Sequence, residues 1–232
     1  MEIIEDIQQI PEMREDIIHI WGIYVPDMLD RLDQLHSVLC EKEQEKAARF
    51  HRESDRQSSI AARSALRILL SRYTGISATD IVFDYSENGK PHVNDSDIDF
   101  NVSHSGDWVV LAFGRNRNIG VDIEKIKREM DVLAIASRYF TPEEIEIMKK
   151  AGDQHGTFFQ LWARKEAYVK ACGSALFREL SNYSVPLAEG AEKDGWIFRS
   201  LEAGSKYAAA VVTDRVVASV PCYDFGGLKW DS

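Results

Sequence analysis

Two carboxylates two positions apart raise the first chemical question. In "NIGVDIEKIK" (118–127), Val121 and Ile123 alternate with Asp122 and Glu124. Side chains in a strand point to opposite faces in turn, with a rise of about 3.3 Å per residue. A strand here faces both apolar side chains to a core and puts both carboxylates on the other side, roughly 6–7 Å apart. Outside bulk water, at an effective dielectric near 20, such a pair repels by roughly 2–3 kcal/mol. A second constellation lies in "GTFFQLWARKEAYVKACG" (156–173), where Trp162, Glu166 and Lys170 fall at i, i+4 and i+8 and share a helix face. Two readings stand. In the first, the charges are solvated surface groups and Glu166 with Lys170 is an exposed ion pair contributing a few tenths of a kcal/mol. In the second, Asp122, Glu124 and Glu166 meet in a three-carboxylate cluster. Hard oxygen ligands of that kind suit magnesium, which takes one or two carboxylates together with substrate phosphates and water. Lys165 and Lys170 beside the cluster would suit phosphate oxygens. His104, in "NVSHSGDW", follows Ser103 at a strand end; an isolated turn histidine is more often a structural hydrogen-bonder, but as imidazolium it binds phosphate. Lys90 follows Asn88-Gly89 and precedes Pro91, and by default it is an exposed turn lysine.

The elements that must position these groups are legible from periodicity. "IIHIWGIYV" (17–25) reads as a strand. Residues 41–73 read as two helices, with Ala47, Phe50, Ile60, Leu66, Leu69 and Leu70 at helical spacing and Gly75 as the stop. "DIVFDYSENGKPHV" (80–93) reads as a hairpin in which Asn88-Gly89 supplies two positive-φ residues. "DFNVSHS" (99–105), "DWVVLAFG" (107–114) and "NIGVDIEKI" (118–126) are further strands. Thr141-Pro142-Glu143-Glu144 is a helix start with a cap, a first-turn proline and a capping-box glutamate. The helix through 156–172 ends at Gly173. "GWIFRSL", "KYAAAVVTD" and "VVASVP" are strand-like. Strands and helices come in blocks rather than in alternating βα units, which predicts α+β. No glycine-rich phosphate loop of the Rossmann or Walker kind is present, so a bound nucleotide would rest on side chains and a metal.

Composition narrows the partners. The 232 residues are 44% hydrophobic and 28% charged, with a net charge of −10, room for one large domain or two small ones. The acidic balance argues against nucleic acid, whose phosphates need a basic surface. A small phosphate ligand is still served by the local basic cluster of 42–72. No apolar run reaches the length of a membrane span, and the acidic "MEIIEDIQQIPEM" has no basic leader region. Cys40, Cys172 and Cys222 are scattered, without a C-x-x-C pair, which disfavours a disulfide framework or zinc site and points to a reducing cytoplasm.

"GKP" (89–91), "FNVSHS" (100–105), "GVDIE" (120–124) and "WARKEAYVKACG" (162–173) occur in this order, and together they closely resemble the Sfp-type 4′-phosphopantetheinyl transferases. The resemblance runs over roughly 17–220; the segment after Gly-Lys-Pro lacks a further proline that many members carry. It implies two similar α+β subdomains related by pseudo-twofold symmetry, here 1–114 and 115–232, with coenzyme A in the cleft between them. It implies transfer of the phosphopantetheine arm to a serine of an acyl, peptidyl or polyketide carrier protein, as in holo-[acyl-carrier-protein] synthases. Adenosine 3′,5′-bisphosphate is left behind. Asp122 and Glu166 would ligate magnesium directly, and Glu124 directly or through water. Glu166 would also be the base for the carrier serine, directly or through a water, a role that competes with ligation because a carboxylate on a metal is a weaker base, and Lys170 would stabilise developing charge. Lys165, His104, Ser103 and Lys90 would hold phosphates, with Lys46, Arg52 and Arg63 on the 3′-phosphate. The carrier would dock along 127–139, where Lys127, Arg128 and Arg138 meet its acids. A monomer is expected. Two other classes remain open: a metal-dependent pyrophosphate or phosphodiester hydrolase with water in place of serine, and a non-catalytic module that binds the carrier or coenzyme A. The intact charged positions of all four motifs weigh against the second.

Overall fold

The computed structural model describes residues 10–173 and 180–226; the start of the acidic N-terminal run read above lies outside them. Strand β1 (His19–Tyr24) leads into a 3-10 helix (Val25–Arg31) and three helices, α1 (Leu32–Ser37), α2 (Glu41–Ala48) and α3 (Glu53–Thr74). Short strands β2 (Asp84–Tyr85) and β3 (Pro91–His92) precede β4 (Ile98–Ser105), β5 (Trp108–Arg115) and β6 (Ile119–Lys125). Helices α4 (Val132–Tyr139), α5 (Pro142–Lys150) and α6 (Gln154–Cys172) follow, then β7 (Ala191–Lys193), β8 (Trp196–Leu201), β9 (Tyr207–Thr213) and β10 (Cys222–Asp224).

Local chemistry accounts for the boundaries. Helix α3 stops at Gly75 and α6 at Gly173, both left-handed at φ 76° and 60°, a backbone that a Cβ disfavours. Helix α5 starts with the expected capping box: the Thr141 hydroxyl accepts from Glu144 N–H, and the Glu144 carboxylate accepts from Thr141 N–H at 2.8 Å. The hairpin differs from expectation. Tyr85 pairs with Pro91 across a five-residue connection, and Gly89 alone of the Asn-Gly pair has positive φ. Above that pair Ser86 N–H donates to the Lys90 carbonyl at 3.0 Å, while Lys90 N–H turns to the Ser86 hydroxyl at 3.1 Å and the ladder ends there. "VVASVP" forms no regular strand; Ser219 makes a single bridge to Ile17 before β10 begins.

Two four-stranded sheets result, ordered β10-β1-β5-β4 and β6-β9-β8-β7. The first packs one face on α3 through Ile23, Leu66, Leu69, Phe100 and Phe113. The second packs one face on α6 through Phe158, Leu161, Ala167, Phe198 and Val212. Their other faces share a core in which Ile18, Ile20, Val110 and Ala112 meet Val121, Ile123, Ala209 and Val211. The fold is thus helix, sheet, sheet, helix. Each fully buried aliphatic side chain in that middle layer contributes about 1.5–3 kcal/mol. The C-terminal segment crosses back over this layer: β10 runs parallel to β1, with Ile20 opposite Cys222.

Candidate active site at the seam of the sheets

The alternation in β6 resolves as the sequence predicts. Val121 and Ile123 enter the shared core, and Gly120, Asp122 and Glu124 take the other face, toward α6. Gly120 decides how near the helix comes. A Cβ there would lie 2.0 Å from the Ala167 carbonyl oxygen and 2.4 Å from Ala171 N, so only glycine lets α6 rest on the strand backbone. That contact sets Lys170 over Asp122: its Nζ donates to Asp122 Oδ1 at 2.7 Å, to Ser103 Oγ at 2.9 Å and to the Val121 carbonyl at 3.2 Å.

The other wall is β4. Strands β4 and β6 are edges of different sheets, and β4 side chains stand in for a backbone ladder. Asn101 Oδ1 accepts from Val121 N–H at 3.0 Å, Ser103 Oγ from Ile123 N–H at 3.4 Å, and Ser105 Oγ from Lys125 N–H at 3.0 Å. Each bond satisfies an edge N–H that would otherwise be stranded in the interior. The serine hydroxyls then donate to the carboxylates, Ser103 to Asp122 Oδ1 at 2.8 Å and Ser105 to Glu124 Oε2 at 3.0 Å. Asn101 and Ser105 did not stand out in the sequence as candidates. Their signal was the polar face Asn101, Ser103, Ser105 alternating with Phe100 and Val102.

The electrostatics are those of crowded, desolvated anions. Asp122 is 3% exposed; burial pushes its carboxyl up, against the pull of Lys170 and the Ser103 hydroxyl. Glu124 is pushed up by burial and then by the Asp122 charge, with Ser105 opposing. Glu166 is raised to about 7, by burial first and then by Asp122, while Lys170 pulls it down and Glu124 adds to the rise. The three carboxylates therefore feel one field, although among the described residues no group of three metal-ligating side chains already converges on one point. The donor set still fits a hard cation. Asp122 Oδ2 is buried without a hydrogen-bond partner, and the raised Glu124 and Glu166 would both be relieved by a positive ion.

Lys90 also reaches the seam: its Nζ donates to the Ile119 carbonyl at 2.8 Å. Burial pushes this amine down, with Asp99 opposing first. It lines a cavity of about 200 Å³ with Ser86, His92, Asp99, Phe100 and Asn118. His104 lies on the opposite face of β4 from Ser103 and Ser105 and is exposed, so the structure does not bring it to the carboxylates. Lys46 and Arg52 are exposed, on α2 and at the start of α3.

Two of the residues expected on phosphates have protein partners in the structure. Lys165 is 0% exposed. Its three ammonium protons go to the Leu180 carbonyl, the Tyr183 carbonyl and Glu144 Oε2, the last at 2.8 Å. One residue along a helix is a turn of about 100°, so Lys165 leaves the Glu166 face and anchors the segment after α6 instead. Its neighbour Arg164 does the same, donating to the Pro186 and Ala188 carbonyls. Arg63 is occupied by Glu43 at 2.7 Å and by the Tyr85 hydroxyl at 2.9 Å, with its guanidinium over the Phe83 ring. On the expected docking segment, Arg128 is held by Asp153 at 3.0 Å, whereas Leu133 is exposed. Among the described residues no helix is long and apolar enough to cross a membrane.

Known proteins resemble both halves of the chain. A family model described as the 4′-phosphopantetheinyl transferase superfamily matches residues 118–217. A second, described as 4′-phosphopantetheinyl transferase, N-terminal, matches 26–115. The chain is 34% identical over 167 residues to the 4′-phosphopantetheinyl transferase HetI of Nostoc sp., covering 69% of this chain and 70% of that protein. It is 35% identical over 173 residues to the 4′-phosphopantetheinyl transferase Sfp of Bacillus subtilis, covering 72% and 76%. Against the 4′-phosphopantetheinyl transferase pptA of Paxillus involutus the identity is 30% over 257 residues, covering 89% and 95%.

Proposed function

Since the chain belongs to the 4′-phosphopantetheinyl transferase superfamily, we propose that it is a magnesium-dependent enzyme of the Sfp type. In this reading it moves the phosphopantetheine arm of coenzyme A to a serine hydroxyl of an apo acyl, peptidyl or polyketide carrier protein and releases adenosine 3′,5′-bisphosphate. The observation that carries the reading is the seam itself: Asp122, Glu124 and Glu166 in one field, with Asp122 Oδ2 unpartnered and Lys170 beside it.

Asp122, Glu124 and Glu166 would hold the cation, which when bound would neutralise charge on the pyrophosphate oxygens. Glu166 is the base for the carrier serine. Without the cation its carboxyl is raised to about 7, close to the working pH that suits a base; a bound cation would lower it, so the roles of base and ligand oppose each other in this one carboxylate. Lys170, with its Nζ 2.7 Å from Asp122 Oδ1, offsets negative charge that grows on the phosphate as the bond breaks. In this reading Ser103 and Lys90 hold phosphates beside the seam, and His104, Lys46 and Arg52, which are exposed, meet the outer phosphates. The carrier docks beside α4 and α5, where Leu133 and Ile147 are exposed.

The test is intact-protein mass spectrometry of an apo carrier protein incubated with the enzyme, coenzyme A and magnesium, with a chelator control. A gain of one phosphopantetheine group that chelator abolishes supports the reading. Free phosphopantetheine without carrier modification would shift it to a hydrolase, and no reaction with several carriers to a binding module.

A further inference from the structure

We infer that Ser105 is a positioning residue for Glu124, holding that carboxylate on the cation face of β6; the inference rests on the cation site proposed above. The geometry is a repeated unit. Serine 103 takes the N–H of residue 123 and gives its proton to the carboxylate of residue 122; Ser105 takes the N–H of Lys125 and gives its proton to Glu124. A hydroxyl has one proton. With a lone pair committed to the main-chain N–H at 3.0 Å, the Ser105 proton is directed to Glu124 Oε2 at 3.0 Å. The unit breaks at the third position in an informative way. Asn101 takes the N–H of Val121, but the residue that a carboxylate would occupy there is Gly120. An amide oxygen suffices for the backbone, and no hydroxyl proton is needed.

Glu124 needs such a tether more than Asp122 does. Asp122 is short, 3% exposed and gripped by Lys170. Glu124 is longer and only partly buried, and the like charges of Asp122 and Glu166 push it outward. Ser105 works against that push. It acts through the carboxylate, as outer-shell partners of metal ligands do.

The experiment measures manganese binding by electron paramagnetic resonance, without coenzyme A, and magnesium dependence of transfer, in the parent and in Ser105→Ala, Ser105→Thr and Asn101→Ala. Loss of an outer-shell partner weakens a metal by roughly 10–100-fold. The expectation is manganese affinity down about tenfold in Ser105→Ala, a matching rise in the magnesium needed for half-maximal rate, and a maximal rate restored at high magnesium. Ser105→Thr restores binding because it keeps the hydroxyl. Asn101→Ala lowers the melting temperature but leaves manganese affinity as in the parent. Manganese affinity in Ser105→Ala within about twofold of the parent, no rescue by threonine, or an equal loss in Asn101→Ala would each overturn the inference while the cation site stands. A parent that binds no manganese overturns the cation site, and this inference with it.

Discussion

A carboxyl that titrates at about 7 instead of 4.5 is destabilised as an anion, and the protein carries that strain whenever it is ionised and no cation is bound. The sign of the linkage follows. Glu166 in the folded protein holds its proton more tightly than in the unfolded chain, so its contribution to stability is fully present below pH 4.5 and is lost as pH rises through 7. A displacement from 4.5 to about 7 corresponds to roughly 3 kcal/mol. Glu166→Gln, which cannot ionise, is therefore expected to match the parent near pH 4.5 and to exceed it by up to that amount at pH 8. Urea unfolding in chelator at the two pH values checks this; an equal difference at both would place Glu166 outside the carboxylate field. On the assignments proposed above the same variant lacks a general base and a ligand, so transfer is expected to fall by roughly 10²–10⁴-fold, while coenzyme A still binds in part by calorimetry. Full transfer activity would sink the base and ligand assignments together.

Two elements hold the site, and each offers a clean perturbation. Helix α6 lies on β6 because residue 120 has no side chain. Gly120→Ala puts a methyl 2.0 Å from a backbone oxygen, which only displacement of the helix relieves. The expected loss is about 3 kcal/mol, at the upper end of ordinary overpacking. Lys170 moves off Asp122 with the helix, so transfer should fall at least tenfold in protein that is still folded, as judged by circular dichroism. Parent-like activity and stability would mean that the helix does not rest there. The second perturbation separates two meanings of one motif. Arg164 and Lys165 anchor the chain that follows α6, and Glu166 and Lys170 serve the seam. Lys165→Met leaves Glu144, 1% exposed, without its buried counter-charge, although the Thr141 and Val185 N–H groups still reach it at 2.8 Å. Breaking a buried pair costs about 3–5 kcal/mol, and Glu144→Gln on the same background should recover part of it. The coenzyme A KM of the folded enzyme should change little, whereas a phosphate contact would raise it by an order of magnitude or more.

Taken as a whole, the molecule shows what local pattern can and cannot specify. Alternation placed Asp122 and Glu124 against Val121 and Ile123, and capping residues placed the ends of α3, α5 and α6, because those signals depend on near neighbours. Helical spacing also held the information that Lys165 lies about 100° round the helix from Glu166, on the side where Glu144 meets it. Arg63 was beyond reach, since its partner Glu43 lies twenty positions away on another helix and nothing in either segment announces the pair. The return of β10 to β1 was equally hidden in an ordinary run of small and apolar residues. That return encloses a histidine. His19 is 1% exposed, with the Tyr223 ring edge-on at 5.3 Å. Trp21 donates to the Tyr73 oxygen at 2.9 Å, which leaves the Tyr73 proton for His19 Nδ1, also at 2.9 Å. Burial lowers this imidazole from 6.5 to about 4. Its sense is opposite to that of Glu166: between pH 4 and 6.5 the unfolded chain binds the extra proton, so the stability it confers is complete above pH 6.5 and disappears as pH falls toward 4. The span corresponds to roughly 3 kcal/mol. Over pH 4.5–6.5 the two groups pull against each other, and the parent curve should be flatter than that of either variant. His19→Gln keeps a polar acceptor without the titration, so the stability of the parent minus that of the variant should fall by up to about 3 kcal/mol from pH 7 to pH 4 in urea unfolding. A difference that stays constant with pH would show that His19 titrates normally and that β10 does not seal it from water.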